Sequence, residues 1–166
     1  LLMRNNFLII GGMGVGKTTF CNALLHEIEK IDAESNIVII ENFIRELECS
    51  MEDKECFLVP ASNQMPKVTD EILLRHSIMR SPNRMVIEDA RDTDVCSMIF
   101  EKWHSRDNGV LITMHAINSE IILKDSGLNT VSKTISDVFC VISIHEQYYQ
   151  DEFGKVLKIR KIEQIN

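Results

Sequence analysis

Apolar residues in this chain fall into short unbroken blocks, and between the blocks they recur at helical spacing. The blocks at 7–10, 37–40, 85–87, 110–114 and 138–144 are continuous rather than alternating, as in strands covered on both faces of a parallel sheet. Phe20, Ala23, Leu24, Ile28 and Ile31 mark one face of a helix over about 17–31, and Val95, Met98, Ile99 and Trp103 do the same over 92–105. Thr69 opens a helix that runs to about Arg80, Pro82-Asn83 turns the chain, and 56–59 is a short strand ended by Pro60. Residues 43–55 are mixed and acidic, and 61–68 read as a loop. Further helices are expected at 117–125 and 129–136. The polar stretch 151–154 turns the strand 156–162 back on 138–144 as an antiparallel pair. Strand–helix alternation of this kind predicts an α/β fold: a mainly parallel sheet flanked by helices, with a C-terminal antiparallel strand pair.

Between the first strand and the first helix stands Gly11-Gly12-Met13-Gly14-Val15-Gly16-Lys17-Thr18, a G-x-x-x-x-G-K-[ST] phosphate-binding loop in the strand–loop–helix setting that the motif requires. Its glycines let the backbone N–H groups of 12–16 point inward at phosphate oxygens, and the helix N-terminus adds a favourable dipole. Lys17 is expected to reach the β- and γ-phosphates of a nucleotide, and the Thr18 hydroxyl to bind Mg²⁺. Gly12, Gly14, Val15, Gly16, Lys17, Thr18 and Thr19 are the expected nucleotide-binding residues.

Ligands of open parallel sheets bind outside the carboxyl ends of the strands. Glu41-Asn42 follows one apolar block, Glu88-Asp89 another, and Thr113 and His115 end a third. A carboxylate at a strand end is by itself an ordinary solvated group; the phosphate loop in the same sheet gives these a role. Glu88 and Asp89 suit the magnesium site beside Thr18, and Glu41 suits the orientation of an attacking water. His115 is placed to sense the γ-phosphate or donate to it. Arg80, Arg84 and Arg91 bracket the Glu88-Asp89 strand and are candidates for neutralising phosphate charge.

Composition narrows the class. The 166 residues suit one domain, with 45% hydrophobic and 26% charged residues and a formal net charge of −7. No basic run stands out, which argues against a domain that holds nucleic acid by charge, so no direct nucleic-acid binding is expected. No signal peptide or stretch of about 20 apolar residues is seen. Cys21, Cys49, Cys56, Cys96 and Cys140 show no C-x-x-C pairing and read as reduced thiols of a cytoplasmic protein. The short lead before the first strand suggests a missing preceding domain.

Together these clusters resemble the secretion-superfamily ATPases, the hexameric motors of type IV secretion, conjugative transfer and type IV pili, and within them the TrbB type. The family loop GGTGSGKTT stands here as GGMGVGKTT, 11–19. The family's Asp box, IIED-x-x-EL, is matched by Ile39-Ile40-Glu41-Asn42 followed by Glu46-Leu47. The LRxRPDRIIVGEVR segment is matched from Ile78 to Arg91, and the His-box region by Trp103, Gly109 and Thr113-Met114-His115-Ala116. The likeness covers about residues 4–162. It departs from the family pattern at Asn42, at a Glu41 to Glu46 spacing one residue longer than usual, at Met79 and Ser81, at Ser105-Arg106-Asp107 in place of TGH, and at Asn118-Ser119.

The resemblance implies a RecA-like P-loop NTPase domain that binds ATP with Mg²⁺ and hydrolyses it. It implies that Glu41 polarises water, that Asp89 takes the magnesium-site position of the GExR motif, that Arg91 is that motif's arginine, and that His115 is the second histidine of the His box. It also implies a hexameric ring when complete, working with inner-membrane secretion machinery from the cytoplasmic side. Two other readings stay open: a small-molecule P-loop kinase, with 60–68 as the candidate lid, and a nucleotide-binding ring subunit that does not hydrolyse. The motifs do not decide between ATP and GTP.

Overall fold

The computed structural model describes residues 5–60, 68–90, 98–99, 109–115 and 139–165. Its strands are β1 (Asn6–Gly11), β2 (Ile37–Asn42), β3 (Lys54–Val59), β4 (Arg84–Ile87), β5 (Gly109–His115), β6 (Phe139–Gln150) and β7 (Val156–Ile165). The helices α1 (Lys17–Ile31) and α2 (Asp70–Met79) connect them. One seven-stranded sheet has the order β3-β2-β4-β5-β1-β6-β7. All pairings from β3 to β6 are parallel, and only β6 with β7 is antiparallel. This is the architecture expected from the apolar blocks. The helices expected at 117–125 and 129–136 lie outside the described residues, as does that at 92–105 apart from the helical pair Met98-Ile99.

The continuous apolar blocks have a simple cause. Side chains alternate across a strand, and here both faces are covered. Leu8, Ile10, Val38, Ile40, Met85, Ile87 and Ile112 form one core with Leu74 of α2. Ile9, Ile37, Ile39, Val86 and Leu111 form another with Cys21, Leu25 and Ile28 of α1. Helix α2 starts where Thr69 accepts the Ile72 N–H through its hydroxyl, a side-chain cap for one of the amides that lack an intrahelical acceptor.

The strands differ from expectation mainly at their ends. β2 continues through Glu41 and Asn42 because it keeps β3 beside it in parallel register to Val59. β6 runs on to Gln150, far past the end of β1 at Gly11, because β7 pairs along its whole outer length. That overhang carries β7 alongside the phosphate loop. No helix among the described residues is long and apolar enough to cross a membrane.

Candidate functional site

The loop between β1 and α1 is shaped by two glycines. A Cβ on Gly11 would run into the Ile144 carbonyl oxygen and lie 2.7 Å from Val15 Cγ2, so loop and β6 meet too closely for any side chain. Gly16, the residue that caps α1, has φ 101°, a conformation that glycine adopts without strain. It supplies no side-chain cap, and the first turn of α1 carries no acidic residue. The first N–H groups of the helix have no intrahelical acceptor and lie at the positive end of its dipole. An anion from solution satisfies both.

Around this helix end lies a cleft of about 510 Å³ lined by Gly14, Gly16, Lys17, Thr18, Thr19, Asn42, Glu46, Glu88, Asp89, Thr113, His115 and Arg160, with Met13, Phe43 and Ile44 at its rim. The strand-end groups from β2, β4 and β5 therefore meet the phosphate loop, as the parallel topology requires. Lys17 Nζ donates to the carbonyls of Gly11 (3.0 Å) and Gly12 (2.8 Å), which holds the ammonium inside the loop. Val15 is buried beneath it.

Thr18 Oγ1 donates to Glu88 Oε1 at 2.7 Å. Burial pushes the Glu88 carboxyl above its ordinary value near 4.5; the bond from Thr18 opposes the rise, and the charges of Glu41, Glu46 and Asp89 add to it. Asp89 turns off the strand at φ 51°, and its N–H donates to Thr113 Oγ1 at 2.8 Å. The geometry thus sets Glu88 against Thr18, while Asp89 lines the cleft from the following turn. Hydroxyl and carboxylate oxygens are the ligands that Mg²⁺ takes, and such sites use one or two carboxylates plus substrate phosphates. Among the described residues there is no cluster of three or more His, Cys, Asp and Glu side chains that would cage a metal alone. The donor set fits magnesium brought in with a nucleotide.

Glu41 is 2% exposed. Its Oε1 accepts the N–H groups of Glu46 (2.7 Å) and Leu47 (2.8 Å). It pins the loop after β2, and that loop sets Glu46 in the cleft lining, where Glu41 itself is not found. Asn42 Nδ2 donates to the carbonyls of Glu88 (2.9 Å) and Asp89 (3.0 Å), joining the ends of β2 and β4. An aspartate there has no hydrogen to give either carbonyl, so the Asn42 departure has a local structural reason. His115 is exposed, faces the cleft, and pairs in register with Gly11.

Two candidate arginines sit elsewhere. Arg84 opens β4, at the end of the strand remote from the cleft, and bonds Asp32 through Nε (3.0 Å) and Nη2 (2.7 Å). Arg80 pairs with Glu55. Arg91 and 105–107 lie outside the described residues. Cys21, Cys49, Cys56 and Cys140 are free thiols, and burial, followed by the charges of Glu88 and Glu41, pushes the Cys21 thiol far up. Arg160 was not foreseen: it belongs to no motif, and only the register of β7 on β6 brings it to the loop.

The family described as "Type II/IV secretion system protein" matches residues 2–142. The probable conjugal transfer protein TrbB of Sinorhizobium fredii (strain NBRC 101917 / NGR234) is 28% identical over 113 residues, covering 68% of this chain and 33% of that protein. Among solved structures, the VirB11 ATPase of the Brucella suis type IV secretion system, in complex with sulphate, has a TM-score of 0.72 at 18% identity, over 98% of this chain and 50% of that one. The Legionella pneumophila ATPase DotB has a TM-score of 0.67 at 14% identity, over 98% and 46%. At these identities the two structures show the shared fold. The chain spans about a third of the length of the TrbB relative and about half that of the VirB11 structure. With the family match running from ahead of β1 into β6, the chain belongs to the type II/IV secretion system protein family.

Proposed function

We propose that this chain is the ATP-binding and ATP-hydrolysing motor domain of a type IV secretion or conjugative-transfer system. The observation that carries the reading is the Thr18–Glu88 bond at the mouth of the phosphate loop. A P-loop hydroxyl and a strand-end carboxylate together are what a P-loop NTPase uses to hold its metal. Mg²⁺ would be held by Thr18 and, mainly through water, by Glu88 and Asp89. When bound it neutralises charge on the phosphates.

The chain's own groups do the rest. The N–H groups of 12–16 and the start of α1 cradle the phosphates. Lys17 exchanges its bonds to the Gly11 and Gly12 carbonyls for phosphate oxygens. A carboxylate at the end of β2 orients the attacking water: Glu41 by family resemblance, with Glu46 delivered to the cleft by the loop that Glu41 pins. His115, on the cleft lining, would sense the γ-phosphate or donate to it, and Arg91 follows the Glu88-Asp89 turn in sequence. In a homo-oligomeric, hexameric ring, completed by the rest of the protein and bound to inner-membrane machinery, hydrolysis drives assembly or transfer.

Glu41, held by two backbone amides, favours a second reading: a ring subunit that binds nucleotide without turning it over. Phosphate release from MgATP by the intact protein separates the two. The motor reading expects release in the parent, and in Glu88→Gln retained binding with release reduced at least tenfold. Tight binding with no release by the parent in its assembled state supports the second reading.

A further inference from the structure

The β6–β7 overhang places Arg160 over the phosphate loop. In the pairing register Arg160 stands opposite Glu146, yet the Glu146 carboxylate is taken by Lys158 Nζ at 2.5 Å and by the Tyr148 hydroxyl at 2.8 Å. The guanidinium instead reaches the loop. Its Nη2 donates to the Gly14 carbonyl at 3.3 Å, and its Nη1 comes within 3.2 Å of where a Cβ on Gly16 would stand. A planar cation with five donors is thus held by one long hydrogen bond among the described residues. It lines the same cleft as Lys17 and approaches Gly16, which caps the positive end of α1. Three positive ends on one side of a phosphate loop favour an anion that can lie between them.

We propose that Arg160 is a phosphate-contacting residue of this nucleotide site, supplied by the same chain from β7, with its guanidinium on non-bridging phosphate oxygens. The inference rests on the nucleotide-site reading above. Guanidinium geometry matches phosphate with paired N–H donors, and the Gly14 contact is weak enough to be exchanged for it. Because β7 is the edge strand, nucleotide occupancy is thereby tied to the position of the terminal hairpin.

The test is the affinity of the intact protein for MgATP, MgADP and inorganic pyrophosphate in the parent, Arg160→Ala, Arg160→Lys and Lys17→Ala. The expected result is about tenfold weaker binding of all three ligands in Arg160→Ala, the scale of one charge-assisted contact, with part of the loss recovered in Arg160→Lys. Full affinity in Arg160→Ala beside lost binding in Lys17→Ala overturns the proposal and leaves the site reading intact. So does a loss confined to the nucleotides with pyrophosphate unchanged, because Arg160 then acts on base or sugar. Unchanged binding in Lys17→Ala overturns the site reading itself. A thermal midpoint for Arg160→Ala equal to that of the parent, measured without ligand, is expected alongside.

Discussion

The hydroxyl of Thr18 and the carboxylate of Glu88, 70 positions apart in sequence, meet at 2.7 Å. One belongs to the first turn of α1 and the other follows β4 directly, so the bond ties the phosphate-loop helix to the strand ends of the sheet. Thr18→Val keeps the shape and removes the donor. Its affinity for ATP with Mg²⁺ is expected to fall to that measured in EDTA, whereas the parent keeps a clear gap between the two conditions. A Thr18→Val protein with an undiminished magnesium effect contradicts the assignment.

Glu88 also predicts a pH response. Its carboxyl is raised by burial and by neighbouring carboxylates. Between the ordinary value and the raised one, the folded protein holds a proton that the unfolded chain has released. The contribution of this group to stability is thus complete below the ordinary value and is lost as pH rises through that window. Glu88→Gln removes the dependence, and its thermal midpoint at pH 7 without ligand should exceed that of the parent. A lower midpoint would show that the carboxylate is stabilising there. Protons and Mg²⁺ compete for the same oxygens, so the magnesium effect on ATP affinity should fade on acidification before an ordinary carboxylate would titrate.

Glu41 and Glu46 separate by what they touch. Glu41→Ala leaves two backbone amides without their acceptor, a loss of about 1–3 kcal/mol, readable as a reduced denaturation midpoint. Glu46→Ala should leave stability within about 0.5 kcal/mol. If Glu46 orients the water, Glu46→Gln lowers phosphate release about a hundredfold, near 2.7 kcal/mol of barrier, while Glu41→Gln, whose amide oxygen still accepts both N–H groups, leaves release and stability near those of the parent. Loss of release in Glu41→Gln at full stability would instead give the water to Glu41.

Asn42→Asp tests the brace between β2 and β4. The substitution replaces a donor to the Glu88 and Asp89 carbonyls with a charge facing them. A loss of about 1–3 kcal/mol in unfolding free energy is expected. No change would mean that the strand ends are held otherwise.

The strands and the phosphate loop were legible because their signals are local. Continuous apolar blocks specify strands covered on both faces, and the spacing of Gly11, Gly16, Lys17 and Thr18 specifies the loop. What the sequence left open depends on direction and register. The sequence set Glu88 and Asp89 together at the strand end without telling their places apart: Glu88 continues the ladder by donating its N–H to Ile40 and its side chain meets Thr18, while Asp89 lines the cleft from a turn at φ 51°. Arg80 and Arg84 bracket the right strand in sequence and stand away from the cleft in space. Arg160 reaches it because β6 outruns β1, a length that no apolar block announced. Asn42 read as drift, and its reason lies in two carbonyls of another strand.

The most direct test of the account is equilibrium binding of MgATP to the intact protein beside Lys17→Ala. The account predicts that the parent binds and that Lys17→Ala, which loses the ammonium now bonded to the Gly11 and Gly12 carbonyls, stays folded at the assay temperature and binds at least tenfold more weakly. Equal affinity in the two proteins, or none in the parent, would contradict it.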